Sequence, residues 1–166
     1  MDDECMICPQ DLRAYNEGRL IFKWYTLTDY TDINDIMDEF KEFVKEKAGY
    51  IPEEWMIADY SDCPNFGEYP DYDKIQEYMD ILNDSTIDAD AYKIYMSWMG
   101  SGTSKEDFEE RYMGEWDSFE DYIYELEGHE IDEKLGDLSY YFDWEKYADA
   151  MEQDYYVEDG HVFLAQ

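Results

Sequence analysis

Residues Asp107–Glu130 read DFEERYMGEWDSFEDYIYELEGHE, a stretch in which ten of 24 residues are carboxylates and Arg111 is the one strong base. Judged by charge alone, such a run belongs to a disordered tail. Its apolar residues argue against that. Phe119, Tyr122, Ile123 and Leu126 recur at helical spacing, as do Phe108, Tyr112 and Met113 before them. Ser104 and Ser118 each stand three residues ahead of an Asp, Asp107 and Asp121, which is capping-box spacing with Asp in place of Glu. The stretch therefore predicts two capped amphipathic helices. Inward apolar stripes would leave Glu120, Asp121, Glu125 and Glu127 largely on the outer side.

The same bias extends over the whole chain. Asp and Glu number 45 against 12 Lys and Arg, a formal net charge of −33 over 166 residues. Small soluble domains carry far less. Yet 45% of residues are hydrophobic and 19% aromatic, enough to bury a core. The length suits one domain or two to three small modules. Two like charges about 6 Å apart in water repel by roughly 0.7 kcal/mol. Summed over many neighbours, this rivals the ~5–15 kcal/mol that holds a typical domain together. A neutral surface would cover the core at lower cost, so environment or function must favour the acid.

Towards the N-terminus, CMICPQDL and RAYNEGRLIFKWYTL predict two strands joined by a turn at Asn16-Glu17-Gly18. Thr31–Ala48 predicts a helix with Ile33, Ile36, Met37, Phe40, Phe43 and Val44 inward. Asp35, Asp38, Glu39, Glu42 and Glu46 lie mostly off that stripe. Thr31 or Asp32 would cap its start and Gly49 its end. Trp55–Tyr60 reads as a short strand, and SDCPNFGEYPDYD as a turn-rich connection. Two helical stripes follow, Tyr72, Ile75, Tyr78, Met79 and Leu82, then Ala91, Ile94, Tyr95, Trp98 and Met99, closed by Gly100-Ser101-Gly102. A last helix over Asp143–Gln153 precedes a hairpin turning at Asp159-Gly160. The fold class is α+β, with an α+β module at 1–62, a helical module at 63–103 and an acidic α+β module at 104–166.

Several functions find little support. Asp84–Tyr95 has acids at Asp84, Asp88 and Asp90, but an EF-hand loop would need Gly where Ala89 stands and Glu where Tyr95 stands. Cys5 and Cys8 form a CxxC without the second ligand pair of a zinc site, and read as strand residues. Cys63, His129 and His161 are single and scattered. Three cysteines make no disulfide framework, and there is no leader-like N-terminus and no apolar run near the ~18 residues of a membrane span. The chain reads as cytoplasmic, without cofactor or metal. No nucleophile, phosphate-loop or dinucleotide motif is present, so an enzyme is unsupported. A salt-adapted housekeeping protein would not call for 18 Tyr and five Trp. The charge repels nucleic acid and anionic membranes, so a partner should be basic. Duplex DNA has two charges per base pair, so −33 equals about 16 base pairs of phosphate, and a dimer about 33.

Three segments carry a resemblance. DLRAYNEGRLIFKWYTL, with Tyr15, Asn16, Glu17, Gly18 and Trp24, resembles the N-terminal strand, Tyr-Asn-Glu-Gly turn and following Trp of the ArdA antirestriction proteins. ERYMGEWDSFEDY resembles that family's Tyr-x-Gly segment leading into an acidic helix, and YYFDWEKYADAM its C-terminal aromatic block. Phe22 stands where many members have Gly, and Asp149-Ala150 where an Arg-Asp pair often follows. The resemblance implies an elongated, end-to-end homodimer of three-module chains, made by plasmids, conjugative transposons and phages. It implies a DNA mimic that occupies the DNA-binding groove of type I restriction-modification enzymes. The carboxylates expected to form the mimic are Asp107, Glu109, Glu110, Glu115, Asp117, Glu120, Asp121, Glu125 and Glu127. A second patch would comprise Asp35, Asp38, Glu39, Glu42 and Glu46. The remaining alternatives are an acidic module for another basic DNA-binding protein, and a carboxylate-based enzyme.

Overall fold

A computed structural model describes residues 4–100 and 102–165; Ser101, expected in the turn closing the helical middle, lies outside them. The chain divides into two compact units, Met1–Thr103 and Ser104–Gln166.

In the first unit, β1 (Met6–Asp11) is the centre of a three-stranded antiparallel sheet, between β2 (Tyr25–Thr26) and β3 (Trp55–Ser61). Pro9 has no N–H to give a central strand, and the β1–β3 register shifts between Cys8 and Pro9. The residues after β1 differ from the expected strand and turn. Asp11 accepts the Ala14 N–H at 3.0 Å and starts a one-turn helix, α1 (Leu12–Asn16). Glu17 and Gly18 are therefore a helix exit rather than the tip of a hairpin, and Gly18 takes φ of 83°. Asp11 is fully buried and also accepts the Tyr50 hydroxyl.

The expected long helix is α2 (Ile33–Ala48), capped by Asp32 and ended by Gly49 at φ 81°. Ile33, Ile36, Met37, Phe40 and Val44 are buried, while Phe43 is only half-buried. Two helices follow, α3 (Tyr72–Leu82) and α4 (Ala89–Met99). Their buried faces are rotated slightly from expectation. Ile81 is buried in place of Leu82, and Tyr92 and Met96 replace Ile94, Trp98 and Met99 around Ala91 and Tyr95. Contacts run across the expected boundary at residue 62. Gln76 on α3 accepts the Ile33 N–H at 2.7 Å and donates to the Thr31 carbonyl at 2.9 Å, satisfying the start of α2.

The cysteines require a correction. Cys5 and Cys63 form a disulfide, their Cα atoms 4.8 Å apart. Antiparallel pairing of Met6 with Ser61 brings the residues flanking β1 and β3 together. Cys8 is buried and unbonded, and burial, with the Asp59 charge second, pushes its thiol up to about 11. With the bonded pair 58 positions apart in sequence, opening the disulfide should cost the first unit about 4 kcal/mol by loop entropy. Urea titrations with and without reductant will show a lower midpoint for that unit only. An unchanged midpoint would refute this expectation.

In the second unit, Ser104 and Ser118 accept the Asp107 and Asp121 N–H groups and start α5 (Lys105–Arg111) and α6 (Phe119–Leu135), as expected. Tyr112 and Met113 do not continue α5. They belong to β4 (Tyr112–Glu115), because the sheet competes for this segment; its order is β4-β6-β5, with β5 at Tyr155–Glu158 and β6 at His161–Leu164. A 3₁₀ segment, Gly136–Tyr141, precedes α7 (Trp144–Met151). The hairpin turns at Asp159 (φ 51°) and Gly160 (φ 83°), both left-handed as a two-residue turn demands. A Cβ on Gly160 would lie 2.8 Å from the Trp116 carbonyl oxygen. Phe119, Tyr122, Ile123, Ala148 and Val162 pack into one core cluster of this unit, bordered by Trp116, Trp144 and Tyr155, and Phe108 and Phe163 are buried as well. Leu126 is 57% exposed, against the expectation that it completes the α6 stripe. Among the described residues, no helix is long and apolar enough to cross a membrane.

Candidate functional site

The carboxylates on α2 have a geometry that can be derived from the helix itself. At 100° per residue, Asp35, Asp38, Glu39, Glu42 and Glu46 fall within an arc of about 100°, and at 1.5 Å per residue they span about 16 Å. All five are exposed. Their mean axial spacing, about 4 Å, is close to the ~3.4 Å between phosphates along one DNA strand. The fold keeps this strip outward because Ile36, Phe40 and Val44 anchor the opposite face at zero exposure.

The strip is not purely anionic. Lys23, which no local signal in the sequence marked, shares a hollow of about 370 Å³ with Asp38, Glu39, Glu42 and Glu46. Its ammonium stands 5.4 Å from the Tyr25 ring centroid and 5.5 Å from that of Phe43. The Tyr30 hydroxyl donates to Glu39 at 2.6 Å, and that bond, ahead of burial, pushes the tyrosine up to about 12.

In the second unit, Asp107, Glu109 and Glu110 are exposed on α5, with the Lys105 ammonium 3.9 Å from Glu109. Glu115 and Asp117, also exposed, fall at the end of β4 and in the turn after it. Glu115 lies 3.9 Å from Nε2 of His161. That histidine is buried, and its Nδ1 is 2.8 Å from the Tyr112 hydroxyl, so it is part of the packing rather than a stray residue.

On α6, Glu120, Asp121 and Glu125 are exposed, but Glu127 is half-buried and accepts the Tyr147 hydroxyl at 3.0 Å. The four do not make a single outer face. Helical geometry puts Glu120 and Glu127 on one side and Asp121 and Glu125 roughly 100–140° away. Glu130, paired with Lys134 at 2.8 Å, stands in a further direction. With Leu126 outward as well, the acids surround the helix.

Chemically, these side chains offer many separate negative charges rather than one reactive centre. Among the described residues, two carboxylates are lowered from their ordinary values. Glu17 is lowered by hydrogen bonds from Arg19 and then Arg13, and Glu130 by its bond from Lys134. A general acid needs the opposite shift.

No curated protein matches the chain significantly. A family model described as antirestriction protein (ArdA) does match, over residues 7–163. It takes in the strip on α2, the acids of α5 and α6 and the cores beneath them, and the chain belongs to that antirestriction family.

Proposed function

We propose that the protein blocks type I restriction-modification enzymes by standing in for DNA, without catalysis, in their DNA-binding groove. The observation that carries this reading is the α2 strip, whose charge spacing approaches that of a phosphate backbone. The exposed acids of α5, β4 and α6 add further anionic surface. Lys and Arg that normally meet phosphate would meet carboxylate, and release of counterions from both surfaces would drive binding. The target and the inhibitor would meet in the cytoplasm, the inhibitor being carried there on a mobile element and acting as a homodimer. Leu126, Leu138, Tyr140 and Tyr141, at 57%, 65%, 87% and 78% exposure, supply apolar surface for self-association.

Competition tests the proposal. Purified protein should displace duplex DNA from a type I methyltransferase core at near-stoichiometric ratios, less effectively as salt rises. No displacement by folded protein at low salt would overturn it and favour some other basic DNA-binding partner.

A further inference from the structure

Besides its charged surfaces, the first unit carries a groove of about 520 Å³ beside β3 and the start of α3, lined by Trp55, Tyr69, Pro70 and Tyr72 with Glu53 and Glu54. The indole N–H of Trp55 donates to the Tyr72 hydroxyl at 2.9 Å, which fixes the two rings relative to each other. Tyr69 is 66% exposed, and the proline after it holds its backbone extended, so its ring is available at the groove's edge. Glu53 and Glu54 are exposed, and among the described residues neither makes an ion pair. The walls are aromatic and the rim is acidic. Among the described residues that line the groove, none is cationic.

The chain's own cations show what such walls attract. The Lys41 ammonium lies 5.3 Å from the Trp55 ring centroid. A neighbouring hollow of about 380 Å³ shares Glu53 and Glu54, and there the Arg13 guanidinium lies 4.2 Å from the Tyr50 ring centroid. A cation over an aromatic face is attracted by the ring quadrupole, more strongly once water is excluded. Guanidinium suits a partly apolar groove better than ammonium, because it is planar, stacks on rings and is less tightly hydrated.

We propose that this groove binds an arginine side chain presented by a basic polypeptide, with the guanidinium stacked among Trp55, Tyr69 and Tyr72 and paired to Glu53 or Glu54. The inference rests on the DNA-mimic reading only in taking the partner to be basic. It adds a contact that phosphate lacks: a phosphate backbone offers guanidinium charge but no flat face. Such a contact would persist at salt concentrations that screen the carboxylate strips.

The test follows the Trp55 indole N–H resonance of the full chain by NMR. The probes are a Gly-Arg repeat hexapeptide and its Gly-Lys counterpart. At about 0.5 M NaCl, where screening length falls to roughly 4 Å, general attraction to a −33 surface is suppressed. The Arg peptide should then move the Trp55 resonance saturably, and the Lys peptide should bind several-fold more weakly. Tyr69→Ala should raise the Kd for the Arg peptide by about tenfold, while Tyr69→Phe, which keeps the ring, stays within about twofold. Tyr69 is exposed, so both variants should keep the dispersed spectrum of the folded protein.

Three outcomes would overturn the proposal: a stationary Trp55 resonance while α2 resonances shift, an unchanged Kd for Tyr69→Ala, or equal affinity for the Arg and Lys peptides. No restriction enzyme enters this experiment. Its failure therefore leaves the competition result intact, and failure of the competition leaves the groove.

Discussion

A variant carrying Asp35→Asn, Asp38→Asn, Glu39→Gln, Glu42→Gln and Glu46→Gln will compete with duplex DNA about 10²–10³-fold less well than the native chain. Exposed charge pairs are each worth about 0.2–1 kcal/mol, and at about 0.6–0.8 kcal/mol apiece five lost together weaken binding by roughly 3–4 kcal/mol. Any one of these changes alone should cost no more than about fivefold. The fold should survive. Neutral side chains remove repulsion along the helix. The Tyr30 hydroxyl, now bonded to Glu39 at 2.6 Å, would still find an amide oxygen after the Glu39→Gln change. Competition titrations on the single and combined variants, with thermal melts alongside, decide the matter. If one substitution abolished displacement in a folded protein, a focused site would replace the distributed one. The corresponding set Glu120→Gln, Asp121→Asn and Glu125→Gln, drawn from different sides of α6, provides the comparison.

The second large effect is alkaline unfolding. Tyr25, Tyr78 and Tyr122 are 3%, 2% and 5% exposed. Burial raises all three above the ordinary phenol value, assisted by nearby Tyr30 and Glu39 charge for Tyr25 and by Tyr155 for Tyr122. Tyr78 reaches about 12, burial leading and Asp90 adding. Below pH ~10 these phenols are protonated in both states, and their contribution to stability is fully present. Above it the unfolded chain releases protons that the folded chain retains. Stability then falls by about 1.4 kcal/mol per pH unit for each tyrosine, until the folded value is passed.

Tyr25 and Tyr78 belong to the first unit and Tyr122 to the second, so these three alone should take about 3 kcal/mol per pH unit from the first and about half that from the second, and Tyr60, which burial also raises, adds to the first. Against a typical domain stability of ~5–15 kcal/mol, the first unit should unfold between pH 10 and 12, ahead of the second. Tyrosinate absorbance should climb steeply with the loss of near-ultraviolet circular dichroism. A smooth titration centred near pH 10, with the native spectrum retained, would refute this.

Much of the fold was legible because the deciding signals were local. Asp32 and Gly49 bound α2, Ser104 and Ser118 start α5 and α6, and Asp159-Gly160 sets the final hairpin. Each works within a few residues of the backbone it controls. α1 was missed because one helical turn is too short to show a period, although Asp11 carries its capping signal. Tyr112 misled for the opposite reason. It follows Phe108 at i+4, a helical interval, and the two rings do stack at 4.9 Å between centroids, but the pairing of Tyr112 with Phe163 on β6 takes the backbone into a strand. The Cys5–Cys63 bond and the position of Lys23 beside the α2 strip are products of tertiary pairing, and no spacing encodes them.

The candidate carboxylates could be identified from the sequence only as a population. Helical periodicity put the five acids of α2 mostly off the buried stripe. The same reasoning failed on α6, where Leu126 points outward and Glu127 is turned in toward Tyr147. An inward stripe can be read from sequence only when the core covers the helix along its full length, and the α6 core is built mostly from its first two turns.

That the acids of α2 line one face of a single helix has a consequence for any mimicry. The phosphates of one B-DNA strand wind about the duplex axis and complete a turn in about 34 Å. Within half of that turn a strand crosses to the opposite face of the duplex, so a straight row of charges follows it for only a few phosphates. A protein trough contoured to the whole spiral would therefore touch this helix along one short tangent, and its other contacts would have to come from segments aligned in other directions.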